Sequence, residues 1–208
     1  NNTACNELIH KAQSVGKNRS NWLRITFNDL YNFAKRKGAK KELYLSYLLY
    51  RKSAQQKYAR AYYKLAKFYE NGIVVKKDLK QAFKLIIKGT KFESKYDDDP
   101  ACLITAGYYF EMGIGTKQNN KMAYKYYMKA VKHGSSVGMY NSALCLLYKN
   151  KKKNIKKGLD LLIKATEQKY PDAFAELSVI YKEGKFVNKD KEMSDYWLNE
   201  AMNNKSWR

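Results

Sequence analysis

Six stretches of this chain carry two small residues seven positions apart, each pair enclosing two apolar residues at fixed offsets. The small pairs are Cys5/Ala12, Ser46/Ser53, Ala82/Gly89, Ala123/Ala130, Gly158/Ala165 and Ser194/Ala201. Enclosed between them are Leu8-Ile9, Leu49-Tyr50, Leu85-Ile86, Tyr126-Tyr127, Leu161-Leu162 and Trp197-Leu198. Positions i, i+3, i+4 and i+7 share one face of an α-helix, so each stretch predicts an amphipathic helix. The second small residues recur at intervals of 41, 36, 41, 35 and 36 residues. A period of that size, built on helices, predicts an α-helical array in which each helical pair buries its face on the next.

A second alignment runs in step with the first. The segments AYYKLAKFYENG (61–72), CLITAGYYFEMG (102–113), GMYNSALCLLYK (138–149) and AFAELSVIYKEG (173–184) start 41, 36 and 35 residues apart. Their sixth place is small (Ala66, Gly107, Ala143, Ser178) and their ninth is large (Tyr69, Phe110, Leu146, Tyr181). Small opposite large lets two helices approach closely while the large side chain fills the groove. Gly72, Gly113 and Gly184 are placed to end three of these helices in a left-handed cap. The third segment lacks that glycine and runs into Lys149-Asn150-Lys151-Lys152-Lys153-Asn154, which predicts a shorter or more mobile turn. The two prolines, Pro100 and Pro171, suit first turns of helices, with Asp99 as the cap before Pro100. No alternating strand pattern competes.

The combined pattern is small-x-x-x-Leu-small-x-x-Tyr-x-x-Gly, then Val-x-x-Asp, then a small residue before two apolar residues and Lys-Ala. It resembles the Sel1-like repeat. The last unit carries Ala173, Leu177, Tyr181, Gly184, Val187, Asp190, Trp197-Leu198 and Ala201. Residues 61–91 carry Ala61, Leu65, Tyr69, Gly72, Val75, Asp78, Ala82 and Lys88, and the unit 102–134 carries Gly107, Gly113, Gly115, Ala123, Lys129-Ala130 and Gly134. The likeness covers 58–205 well and 20–57 through a second helix only, while 4–16 reads as an orphan second helix. The expected organisation is one continuous solenoid, with degenerate helices over 1–57 and repeats at 61–96, 102–137, 138–172 and 173–208 within 58–208. What the resemblance implies is an all-α, right-handed α/α superhelix related to tetratricopeptide repeats, which grips a partner on its concave, first-helix side. It implies a scaffold or inhibitor without a catalytic residue.

Composition changes this picture mainly through charge. Against 19 Asp plus Glu stand 41 Lys plus Arg, a net +22, which favours encounter with acidic partners and polyanions. An apolar fraction of 45% is that of a folded chain, and no apolar run approaches the ~20 residues of a membrane-spanning helix. The chain does not start with Met, which reads as processing or truncation; a lipoprotein remnant at Thr3-Ala4-Cys5, and with it a bacterial periplasmic location, is one reading and the cytoplasm is the other.

Catalytic and metal chemistry find no footing. Cys5, Cys102 and Cys145 form no metal spacing and read as buried small residues. His10 and His133 stand at ends of second helices, and no Ser, Cys or carboxylate is placed by sequence to make a triad with either. Asp97, Asp98 and Asp99 lie in the longest connector, lack the alternation of a calcium loop, and serve as a cap or a partner contact. Gly113-Ile114-Gly115 is a repeat turn, not a phosphate loop. No cofactor is expected.

Lysines 77, 80, 84, 88 and 91, and again 121, 125, 129 and 132, form stripes on second helices and read as solvated surface. Arg60, Lys64 and Lys67 fall on a first helix. The expected partner-binding set is Arg60, Tyr63, Lys64, Lys67, Thr105, Tyr108, Tyr109, Asn141, Glu176 and Ile180. Among the 19 tyrosines several could stack on single strands, but most occupy packing columns, which ranks nucleic-acid binding third. The favoured reading is a monomeric, non-enzymatic immunity protein that neutralises an acidic secreted antibacterial effector of the lipase or phospholipase type. An adaptor assembling an envelope, secretion or host-interaction complex is the alternative.

Overall fold

The computed structural model describes residues 40–92, 100–149 and 154–204, the side chains of 40–42 aside. Cys5/Ala12, His10, Asp97, Asp98, Asp99 and the lysine run 151–153 lie outside the described residues. Two compact units divide the chain, Asn1–Glu93 and Ser94–Arg208. The described residues of the first form α1 (Lys40–Gln55), α2 (Ala59–Asn71) and α3 (Leu79–Gly89). Those of the second form α4 (Ala101–Met112), α5 (Asn120–Lys132), α6 (Ser136–Leu144) with a π-helical turn at Cys145–Lys149, α7 (Ile155–Glu167), α8 (Pro171–Glu183) and α9 (Lys191–Asn203). No strand occurs among the described residues, and the chain is an all-α helical repeat.

Local chemistry starts and stops these helices at repeating places. Asp78, Asn119, Asn154 and Asp190 cap the second helices, each side-chain oxygen accepting from a backbone N–H three residues on, at 2.9, 3.0, 3.1 and 3.0 Å. Their last turns carry Lys88, Lys129 with Lys132, and Lys164, where the helix dipole favours a cation. First helices α2, α4 and α8 end at Gly72, Gly113 and Gly184 with φ of 68°, 72° and 69°, a conformation that side chains resist. The amide after each glycine closes the cap on a carbonyl five residues back: Phe68, Tyr109 and Ile180. Pro171 stands inside the first turn of α8, whereas Pro100 itself holds the cap position of α4.

Both sequence columns lie in the core. Within the described residues Ser46, Ser53, Ala82, Gly89, Ala123, Ala130, Gly158, Ala165, Ser194 and Ala201 are all buried, as are Ala66, Gly107, Ala143 and Ser178. In the first unit α2 packs on α1 and on α3; in the second each helix from α4 to α9 packs on the next. The central cluster of the second unit joins Ala143, Leu146, Leu147, Leu161, Leu162, Ala165, Ala173, Leu177 and Ile180. Ser178 and Ser194 face each other at 3.2 Å, so the small column of α8–α9 is also a satisfied polar contact. The last apolar pair departs from the rule: Leu198 is exposed, with Tyr196 and Met202 beside it, because no later described helix covers α9.

Candidate functional site

The first helices present their outer faces differently in the two units. On α2, Arg60, Tyr63, Lys64 and Lys67 are all half-buried and share one side of the helix. The Lys64 and Lys67 ammoniums lie 5.7 and 5.9 Å from the centre of the Tyr63 ring, within cation–π range on both counts. Lys67 also pairs with Glu70 at 2.7 Å, one turn on. The outcome is an aromatic ring flanked by two cations, amphipathic and positively charged, at the surface of the first unit.

The second unit offers tyrosines and carboxylates. Tyr108 is 45% exposed and Met112 beside it on the same face of α4 is exposed too. Glu111 accepts a hydrogen bond from the Tyr127 hydroxyl at 2.7 Å and pairs with Lys149 of the π turn. Glu176 on α8 accepts from the Tyr148 hydroxyl, which also belongs to that turn. Lys185 lies 4.5 Å from the centre of the Tyr148 ring, and Phe186 meets the same ring edge-on at 5.1 Å. Tyr140 and Tyr170 approach at 5.3 Å, and the Tyr170 hydroxyl donates to Asp172 at 3.0 Å.

These surroundings hold the phenols protonated. Burial, then Glu176 and Asp172, push Tyr140 up to about 12. Burial followed by the bonded carboxylate raises Tyr127, Tyr148 and Tyr170 further. Burial first, and Glu111 after it, push the Cys145 thiol up to about 11, a direction opposite to that of a reactive thiolate. Cys102 and Cys145 are buried. His133 closes the C-terminus of α5. Among the described residues no group of three or more His, Cys, Asp or Glu is placed to hold a metal, and no helix is long and apolar enough to cross a membrane.

The expected partner-binding set is therefore divided. Tyr108 is exposed, while Arg60, Tyr63, Lys64, Lys67, Asn141 and Glu176 are half-buried. Tyr109 and Ile180 are fully buried, because the eighth place of the first helix is a core column that also holds Phe68 and Cys145. Thr105 is buried as well. Asn141 spends one amide hydrogen on the Val137 carbonyl of its own helix at 3.0 Å. Outward positions that the reading of the sequence passed over are Met112, Val179 and Glu183. A signal for them existed: Val179 shares the seventh place with Lys67 and Tyr108, and Met112 shares the eleventh with Glu183. Tyr148, Glu111 and Lys149 were passed over too, since nothing in the repeat pattern marks a π turn.

A family model described as the Sel1 repeat matches residues 59–90, 100–135, 136–170 and 171–204. A Sel1 repeat protein from Oxalobacter formigenes is similar in structure, with 25% identity, a TM-score of 0.71, and coverage of 88% of this chain and 73% of its own. A protective antigen of uropathogenic Escherichia coli strains displaying an SLR fold superposes with a TM-score of 0.67 at 16% identity, over 89% of this chain and 41% of its own, and shows the fold alone. An immunity protein from Pseudomonas aeruginosa reaches only 0.45 at 16% identity, over 77% of this chain and 74% of its own. No curated protein matches the sequence.

Proposed function

Since this chain belongs to the Sel1 repeat family, whose helical repeats serve protein–protein interaction, we propose that it is a non-enzymatic receptor for an acidic protein, seated on the outer face of α2. The observation that carries this reading is the Tyr63 ring with Lys64 and Lys67 flanking it at 5.7 and 5.9 Å. Tyrosine supplies a rigid anchor of large contact area, and the cations around it select a negative surface and speed its approach. The excess charge of +22 acts in the same sense.

The narrower form of the proposal is an immunity protein that captures and blocks a secreted antibacterial effector of the lipase or phospholipase type. Its support is the charge together with the inhibitor role that the repeat architecture allows. Charge reversal of Arg60, Lys64 and Lys67 to Glu is expected to weaken partner binding at least tenfold with helicity by circular dichroism unchanged. Equal loss from Lys80 and Lys84 to Glu would move the site to α3 and defeat the proposal. Co-expression decides the narrower form, since immunity requires rescue of cells from the cognate toxin, whereas an adaptor rescues nothing.

A further inference from the structure

The opposite side of α2 carries a second feature. With about 3.6 residues per turn, Tyr62, Leu65 and Tyr69 face away from Arg60, Tyr63, Lys64 and Lys67. They form the floor of a cleft of about 200 Å³ whose walls are α1, through Tyr47, Arg51, Ala54 and Gln55, and α3, through Gln81, Leu85 and Lys88. Its polar lining is two cations, three phenols and two amides, and none of its described lining residues is acidic. The Tyr47 and Tyr69 hydroxyls meet at 3.2 Å. The Arg51 guanidinium lies 5.8 Å from the centre of the Tyr47 ring, and the Lys88 ammonium 5.7 Å from that of Tyr62, so aromatic faces position both cations. Leu65, Leu85 and Ala54 give the same cleft an apolar side.

We propose that this cleft is a carboxylate-binding subsite which receives a glutamate or aspartate side chain from an extended acidic segment of a partner protein. Arg51 and Lys88 meet the carboxylate, the Tyr47–Tyr69 pair offers the one O–H not spent within it, the two glutamine amides offer further donors, and the leucines take the methylene stem. A cleft of this size holds one side chain rather than a folded surface. Lys80, Lys84 and Lys88 repeat at i, i+4 along α3, where like charges repel. Of these three lysines only Lys88 lines the cleft. The inference rests on the chain being a protein receptor, but not on the α2 cation cluster, which occupies the other side of the helix.

The test is fluorescence anisotropy with a labelled hexapeptide of alternating Glu and Leu, and with its Gln-for-Glu counterpart, on the full chain. The acidic peptide is expected to bind and the Gln peptide to bind at least tenfold more weakly. Arg51→Gln with Lys88→Gln should weaken the acidic peptide at least tenfold, as loss of charged hydrogen bonds does, and Lys88→Arg should restore part of it. Lys80→Gln with Lys84→Gln removes the same amount of charge, from α3 outside the cleft, and should change binding less than twofold. Equal losses from the two pairs would reduce the effect to general attraction by a basic chain and overturn the subsite. No binding of the acidic peptide, or displacement of it by free glutarate at matching affinity, would overturn the peptide assignment. Arg60, Lys64 and Lys67 to Glu, run in parallel, separates failure here from failure at the outer face of α2.

Discussion

At the scale of single residues the small-residue column is a steric requirement that can be measured. A Cβ built on Gly107 would stand 2.4 Å from the Tyr127 ring, and one on Gly158 2.7 Å from Leu147. Both glycines lie inside helices, where alanine has the higher propensity by about 1 kcal/mol, so packing overrides propensity at both places. Gly107→Ala is expected to destabilise by about 1–3 kcal/mol, read as a lower urea midpoint at unchanged m-value. In a Tyr127→Leu background the ring is gone and the propensity term remains. There the same substitution should be neutral or stabilising by up to about 1 kcal/mol. An equal cost in both backgrounds would show that the contact with Tyr127 is not the cause.

At the scale of elements, the third repeat shows what happens when one consensus residue is missing. Its twelfth place holds Lys149 where the other first helices have Gly72, Gly113 and Gly184. A lysine resists the left-handed cap, and the chain widens into the π turn Cys145–Lys149 instead. That turn sends Lys149 to Glu111 on α4 and Tyr148 to Glu176 on α8, so it ties together first helices on both of its sides. The altered turn was legible in the sequence from the missing glycine and the lysines that follow. Its π geometry and its two carboxylate partners were not, since they depend on side chains 28 and 38 residues distant. A double-mutant cycle between Tyr148→Phe and Glu176→Gln is expected to give a coupling energy of about 1–2 kcal/mol, in keeping with a charge-assisted bond. A coupling within about 0.3 kcal/mol of zero, the scatter of independent sites, would reduce the contact to a surface proximity.

At the scale of the whole molecule, fold and site were legible to different degrees for one physical reason. Helical period and repeat length are written in columns, each column being confirmed by its neighbours, so Ala66, Gly107, Ala143 and Ser178 could be placed in the core without coordinates. A binding face has no such redundancy. The eighth place, Phe68, Tyr109, Cys145 and Ile180, could have been recognised as core from its uniformly apolar character, but Thr105 could not, since Lys64, Asn141 and Glu176 share its place and are half-buried. Charge adds a further ambiguity, because a net +22 lets any lysine accelerate encounter without touching the partner. Kinetics separates the two roles. Lys80, Lys84 and the stripe Lys121, Lys125, Lys129 and Lys132 are exposed, and their field is screened over about 8 Å at physiological ionic strength. Replacing Lys121, Lys125 and Lys129 by Gln should therefore lower the association rate of the acidic partner by a few-fold at low salt, and leave its dissociation rate alone. Replacing Tyr63 by Ala should do the reverse, raising the dissociation rate at least tenfold at any salt concentration, because an anchor acts after contact is made. A dissociation rate that followed the α5 lysines and ignored Tyr63 would transfer the contact surface to α5.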